Sequence, residues 1–267
     1  MMKLFIFSNT TQQCRVEAST RCIALLEKNC GAKCILSTAD SNILFGTDKY
    51  AGCAGDCDLI VAIGGDGTVL RAVQLAYEYD RPVVGINTGR LGYLCALEVD
   101  DLEHAGPDVF DRLSVSSRML LSFQYGGKTR AALNDVVVSK SSFGTSVALQ
   151  ISLDGEEYAL WRGDGVITAT PTGSTSYSMS AGGPVVDPAL DAILITPVCP
   201  HFSVTRSTVA APGCSVTVTL HPSPDNAAKI FADGVEIGEL QHELTIRRSE
   251  RRLSLLTGGN RLLKLHE

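Results

Sequence analysis

The passage from residue 58 to residue 79 constrains this chain more than any other. The stretch ending in Leu59-Ile60-Val61-Ala62-Ile63 has the composition of a strand buried on both faces. It runs directly into Gly64-Gly65-Asp66-Gly67, after which Val69, Leu70, Val73, Leu75 and Ala76 recur at mostly helical spacing. A buried strand that turns through glycines into a helix is part of a β-α-β series, and such a series implies a parallel sheet with helices on its faces. Neighbouring segments extend the pattern. Residues 3–8 and 32–37 read as strands, 11–29 as an amphipathic helix closed by Gly31, and Pro82 opens another buried strand through Ile86. The expected fold is an α/β N-terminal domain with a doubly wound parallel sheet.

From about Leu113 the texture changes. Gly126-Gly127, Asp154-Gly155 and Asp233-Gly234 each separate segments rich in Val, Ile, Leu or Phe, which is the signature of hairpins. The second domain is therefore expected to be mainly antiparallel β, spanning residues 99–250 after an α/β domain at 1–98. The acidic stretch 98–111, with Gly106-Pro107 inside it, reads as the joint, with a short helix or two.

Charge and composition narrow the function classes. With 23 basic against 29 acidic residues and a net charge of -6, the overall field does not favour nucleic acid as a partner. No apolar run approaches the roughly 20 residues that span a bilayer, and Leu4 to Phe7 is too short for a signal-peptide core, so a cytoplasmic protein without a membrane partner is expected. The nine cysteines are odd in number and contain no Cys-x-x-Cys pair, which reads as buried reduced thiols.

The glycine turn carries the first chemical signal. It sits at the carboxyl end of a strand and the amino end of a helix, where open α/β sheets bind ligands. Glycines at 64, 65 and 67 let the backbone approach phosphate oxygens, and the helix start supplies partial positive charge. An aspartate among them repels phosphate unless it holds a cation or takes a proton from an attacking hydroxyl, so Asp66 points to phosphoryl transfer. Its bland alternative is a helix cap. A dinucleotide fingerprint would need Gly or Ala at Leu70, and the Gly-Lys-Ser/Thr of a P-loop is absent.

Three later segments are unusually polar for their surroundings: Asn134-Asp135-Val136-Val137, Arg162-Gly163-Asp164-Gly165, and the hydroxyl-dense run from Thr170-Pro171-Thr172-Gly173-Ser174 to Gly183-Pro184. The last can line a cleft with hydroxyl and backbone donors but cannot pack a core face. Together with Asn87-x-Gly89-x-Leu91-Gly92-Tyr93-Leu94 and Thr196-Pro197-Val198-Cys199-Pro200-His201, the order and spacing of these motifs over residues 58–201 resemble the NAD kinases. The glycine loop alone is shared with lipid kinases and, more distantly, phosphofructokinases, so the later segments carry the specificity.

The resemblance implies ATP-dependent phosphorylation of the 2′-hydroxyl of the adenosine ribose of NAD. It implies Asp66 as general base, with Gly67 beside it in the NAD site, and Gly64, Gly65, Gly67 and Thr68 around the ATP phosphates. Arg71 would face the phosphates, Asn134 and Asp135 would hold ribose hydroxyls, and Arg162 and Asp164 would contact NAD near its bases and amide. Thr175, Ser176, Tyr177, Ser178, Met179 and Ser180 would wrap the dinucleotide, with Cys199 also in the NAD site. No dedicated metal cage is recognisable, so Mg²⁺ is expected to arrive bound to ATP. The resemblance further implies a homodimer or homotetramer, and a tail at 251–267 that returns to the first domain, which its leucines make physically reasonable. Three departures stand out. The family's usual Asn-Glu is Asn134-Asp135, shorter in reach by about 1.5 Å; Val235 stands where many relatives have Gln; and Arg206-Ser207 replaces Arg-Pro. A lipid kinase of the diacylglycerol or sphingosine type and a catalytically silent dinucleotide sensor are the competing readings.

Overall fold

The computed structural model describes all residues except 9, 11–12, 90–91, 143, 202–205, 222–226 and 259–267, and leaves the side chains of residues 13 and 14 undescribed. The elements in chain order are β1 (Lys3–Ser8), α1 (Gln13–Cys30), β2 (Lys33–Ile35), α2 (Thr38–Phe45), β3 (Leu59–Gly64), α3 (Asp66–Tyr79), β4 (Val83–Asn87), β5 (Cys95–Glu98) and β6 (Ser114–Arg118). They continue with β7 (Leu121–Tyr125), β8 (Lys128–Ala132), β9 (Asp135–Lys140), β10 (Val147–Leu153), β11 (Glu156–Gly163), β12 (Gly165–Ala169) and α4 (Tyr177–Ser180). The remainder are β13 (Ile193–Val198), β14 (Thr208–Ala210), β15 (Val216–Leu220), β16 (Ala228–Ala232), β17 (Val235–Glu239), β18 (Glu243–Arg248) and β19 (Leu253–Thr257). The chain divides into two units, Met1–Ser117 with Leu253–Glu267, and Arg118–Arg252.

The first unit is a seven-stranded sheet in the order β2-β1-β3-β4-β19-β6, with β5 also paired to β4. The pairings of β1 with β2 and β3, of β3 with β4, and of β4 with β5 and β19 are all parallel. Alternation along the strands feeds both faces. Leu4, Ile6, Val61, Ile63, Val84 and Ile86 join Ile23 and Leu26 of α1 in one core. On the other face α3 packs on β3 and β4, approaching closely at Gly85, where a Cβ would lie 2.7 Å from Val69 Cγ2. The tail supplies β19, whose Leu255 and Leu256 align with Val83 and Val84. Leu262, Leu263 and Leu265, expected to return with it, lie outside the described residues. The acidic joint holds a single 3₁₀ turn, Asp100–Glu103.

The second unit stacks two antiparallel six-stranded sheets, β11-β10-β15-β18-β7-β8 and β14-β13-β12-β9-β16-β17. Their facing side chains, among them Phe123, Leu149, Val218 and Ile246 against Val136, Val138, Val166, Ile195 and Ile230, form its core. The three expected hairpins are present as β7-β8, β10-β11 and β16-β17. The β9-β12-β13 sheet is buried on its outer face too, where Val137, Ile167, Leu194 and Val198 are covered by Ala181 and Val186. This second burial explains the unbroken apolar runs of β9, β12 and β13. It also puts Asp135, two residues before Val137 on the same strand face, under the hydroxyl-rich segment.

Candidate active site

In the first unit the site is built from the turn after β3. Gly64 has φ 155°, and a Cβ there would overlap the Thr68 hydroxyl, so only glycine fits. Helix α3 starts at Asp66 with Gly65 as its cap and no side-chain capping bond. Asp66 therefore does not cap its helix. Its carboxylate turns aside and accepts the amide N–H of Tyr93 on Oδ2 at 2.8 Å and that of Leu94 on Oδ1 at 2.9 Å. Each oxygen keeps a second lone pair for a ligand proton. Gly92 makes this possible, because a Cβ at that position would overlap the Asp66 carboxylate. The loop is tied at its other end as well: Asn87 Nδ2 donates to the Gly89 carbonyl at 2.7 Å, and the Thr88 amide donates to the Gly64 carbonyl at 3.1 Å.

Thr68 and Arg71, two of the expected phosphate-facing residues, make contacts within the first unit. Thr68 is buried, its hydroxyl packed against Gly64 and its amide bonded to the Gly65 carbonyl at 2.8 Å, so it braces the turn. Arg71 is exposed with its guanidinium 5.9 Å from the centre of the Phe7 ring. The 87–94 segment carries no role in the motif pattern alone. Gly92 and the half-exposed ring of Tyr93 belong beside Asp66.

In the second unit Asn134 and Asp135 are both buried, and their backbone is specified from two sides. The carboxylate of Asp233 accepts the amides of Leu133 at 2.8 Å, Asn134 at 2.7 Å and Asp135 at 3.2 Å. From the opposite side, Thr170 donates its hydroxyl to the Leu133 carbonyl at 2.5 Å and its amide to the Asn134 carbonyl at 2.9 Å. Gly173 rests so closely on Asn134 that a Cβ would overlap its backbone. Burial pushes the Asp135 carboxyl up to about 6. Burial also pushes Asp233 up, to about 7, with the Asp135 charge adding to the rise and the three amides opposing it.

The hydroxyl-rich segment divides its labour. Ser174 is buried and bonds the Pro171 carbonyl at 2.7 Å and the Val186 amide at 3.0 Å. Ser178 is buried with its hydroxyl 3.0 Å from that of Thr196. Tyr177, Met179 and Ser180 are exposed, and Thr175 and Ser176 half-buried. The Tyr177 phenol is raised by partial burial and by the charges of Cys199, Asp164 and Asp135. Asp164 lies in the Gly163–Gly165 turn, its amide bonded to the Val198 carbonyl at 2.9 Å and its carboxylate 2.6 Å from Lys140 Nζ. A Cβ at Gly163 would press on the Val198 and Cys199 carbonyls. Cys199 holds φ 46°, an uncommon value for a residue with a side chain. It and Cys53 are exposed, contrary to the expectation of buried thiols, whereas Cys22, Cys30, Cys34, Cys57, Cys95 and Cys214 are buried, and all eight are free. Arg162 is exposed on β11, its carbonyl accepting the His201 amide at 2.7 Å.

Comparison with known proteins decides which family these turns belong to. The model of the ATP-NAD kinase N-terminal domain matches residues 11–112, and that of the ATP-NAD kinase C-terminal domain matches residues 133–257. The chain belongs to the ATP-NAD kinase family. The NAD kinase of Lachnoclostridium phytofermentans is 32% identical over 269 residues, covering 96% of this chain and 94% of that one. The NAD kinase of Symbiobacterium thermophilum is 41% identical over 186 residues, 67% of this chain and 65% of that one. Among solved structures, an NAD kinase from Archaeoglobus fulgidus in complex with ATP superposes with a TM-score of 0.75 at 27% identity, over 99% of this chain and 97% of that one. Yeast NADH kinase complexed with NADH shares the fold, with a TM-score of 0.83 at 24% identity, over 100% and 89% of the two chains.

Membership of the ATP-NAD kinase family through both domains makes the chain a kinase and removes support from the lipid-kinase and silent-sensor readings, which the glycine loop alone had left open. Among the described residues no helix is long and apolar enough to cross a membrane. Among the same residues no three His, Cys, Asp or Glu side chains gather where they could hold a metal ion.

Two outcomes follow from this geometry. Gly92→Ala drives a methyl into the Asp66 carboxylate and should lower kcat for NADP formation by about 10²-fold, the usual cost of misplacing a reacting group by about 1 Å, while the melting temperature stays near that of the parent; an unchanged kcat contradicts the fit. Asp135 has a raised folded pKa, so the stability tied to its protonated form is complete below the unfolded value and lost as pH rises toward about 6. Asp135→Asn should therefore be more stable than the parent above pH 6, by about 2–3 kcal/mol, with the advantage gone near pH 4. Melting curves across that range check it, and a pH-independent difference refutes it.

Proposed function

We propose that this protein transfers the γ-phosphate of ATP to the 2′-hydroxyl of the adenosine ribose of NAD, giving NADP and ADP, with Asp66 as the general base. The observation that carries the reading is the Asp66 carboxylate, held at the head of α3 beside the glycine turn by the Tyr93 and Leu94 amides with a lone pair left on each oxygen. A ribose hydroxyl is a poor nucleophile, and removal of its proton by a positioned carboxylate contributes about 10²–10⁴ in rate. Alignment of the 2′-oxygen with the γ-phosphorus and neutralisation of the phosphate charge supply the rest.

The remaining roles follow from the motifs. The backbone of Gly64, Gly65 and Gly67 cradles phosphate at the start of α3. Asn134 and Asp135 hold ribose hydroxyls, the shorter Asp135 reaching directly or through a water. Tyr177 offers its exposed ring to a base, and Thr175, Ser176, Met179 and Ser180 line the same surface. Arg162, Asp164 and Cys199 contact the dinucleotide near its bases and amide. Mg²⁺, brought on ATP, supplies charge neutralisation. Thr68 and Ser178 act as braces, and Arg71 reaches phosphate only by leaving the Phe7 ring. We place the enzyme in the cytoplasm as a homodimer or homotetramer; exposed Tyr158 and Leu160 on β11 and Val209 on β14 are apolar surface of the kind a second copy covers.

The test is purified protein with ATP, Mg²⁺ and NAD, read by coupling to an NADP-specific dehydrogenase. NADP should form, and Asp66→Asn should lower kcat by about 10²–10⁴ with NAD affinity, followed by calorimetry, changed far less. ADP formation with a lipid or sugar acceptor and none with NAD would overturn the substrate. Near-normal turnover in the variant would remove Asp66 from the role of base.

A further inference from the structure

The second unit contains the same turn twice. Asp154-Gly155 joins β10 to β11 and Asp233-Gly234 joins β16 to β17, each with both residues at positive φ, 53° and 86° in the first, 48° and 78° in the second. In each, the aspartate reaches sideways to clamp a neighbouring stretch of chain with its own amide and its carboxylate. Asp154 donates its amide to the Ser215 carbonyl at 3.0 Å and accepts the Ser215 amide at 2.8 Å and hydroxyl at 3.2 Å. Asp233 donates its amide to the Asp135 carbonyl at 3.0 Å and accepts three successive amides, those of Leu133, Asn134 and Asp135. One device fixes an ordinary serine just before β15. The other fixes the two side chains assigned to ribose.

Ladder pairing does not do this work. Asp135 is the first residue of β9 to pair with β12, and the pairing of β9 with β16 starts one residue later, at Val136 with Ala232. The amides of residues 133 and 134 therefore lie outside the ladder and bond Asp233, while the Asn134 carbonyl takes the Thr170 amide as the last rung of the β9–β12 pairing. With Thr170 holding the Leu133 and Asn134 carbonyls, every N–H and C=O from 133 to 135 is accounted for by two residues.

We infer that Asp233 is a positioning residue for NAD, its carboxylate setting the backbone of Asn134 and Asp135 so that both side chains present to the ribose together. The inference rests on the ribose role proposed above for that pair. An amide in place of the carboxylate sets an N–H donor against at least one of the three backbone donors, so the clamp opens on one side while the side-chain volume is kept.

The experiment compares Asp233→Asn with Asp154→Asn, its twin in the same unit, and with Asn134→Ala, alone and combined with Asp233→Asn. Asp233→Asn should raise KM for NAD about tenfold or more, the range of a lost charged hydrogen bond, with kcat and KM for ATP within about threefold of the parent. Asp154→Asn should lower the melting temperature without moving KM for NAD, and Asp233→Asn should add little in the Asn134→Ala background. Equal rises in both KM values, or a KM for NAD no different from that of Asp154→Asn, overturns the inference. If Asn134→Ala itself leaves KM for NAD unchanged, the ribose reading has failed; if it raises KM and Asp233→Asn does not, only the positioning role has failed. Should Asp233→Asn not fold, Asp233→Glu keeps the charge but overreaches by about 1.5 Å, and an unchanged KM for NAD in that variant overturns the role equally.

Discussion

A carboxylate in the first turn of a helix is ordinarily spent on that helix, where free amides and the dipole attract it. In this chain the Asp66 carboxylate is spent on the amides of Tyr93 and Leu94. Those two bonds tie the start of α3 to the loop between β4 and β5, and several of the unit's unusual residues follow from them. Gly92 has no side chain because the carboxylate occupies that space, and Gly64 has none because the turn folds back over Thr68. Gly85 lets α3 lie close on β4, which brings the two ends of the clamp within reach. The carboxylate leaves this network fixed in direction, with lone pairs still open.

The second unit solves the same problem with different parts. Its β9-β12-β13 sheet is apolar on both faces, and the outer face is covered by a segment rich in hydroxyls and glycines whose only α-helix is the one-turn α4. Such a segment has to satisfy its own backbone. Thr170, Ser174 and Ser178 do this from inside, while Tyr177, Met179 and Ser180 remain at the surface and Thr175 and Ser176 are half-buried. The polar density of this stretch thus has one cause visible in its hydrogen bonds, internal bracing, and a second in the ligand contact proposed for its exposed side chains. Burial separates them.

Much of the fold was legible because the two halves differ in hydrophobic period. The apolar strand at 59–64, the helix after it and the three hairpin dipeptides are local signals, and each became the element it announced. Helix α2 was passed over even though it carries a local signature: Ser37 caps it, its hydroxyl accepting the Asp40 amide at 3.1 Å, and Gly46 ends it at φ 65°. Its three apolar residues, Ile43 to Phe45, were too few to show a period. The place of β19 beside β4 could not be read from periodicity, because it pairs residues more than 170 positions apart. In the candidate site, composition singles out the polar segments but does not say which of their side chains turn inward. Thr68 and Ser178 are buried and bonded within the fold, and Asp233, which looks like a turn residue, clamps the backbone of Asn134 and Asp135.

The central claim is that Gly92 matters to catalysis only because it makes room for the Asp66 carboxylate. A double-mutant cycle on kcat, with Gly92→Ala, Asp66→Asn and the pair, tests that claim most directly. With Asp66 as the general base proposed above, Gly92→Ala costs much in the parent and little or nothing once Asp66 is Asn, since that proton acceptor is then already gone. Additive losses in the double variant would show that Gly92 and Asp66 act independently, and would contradict it.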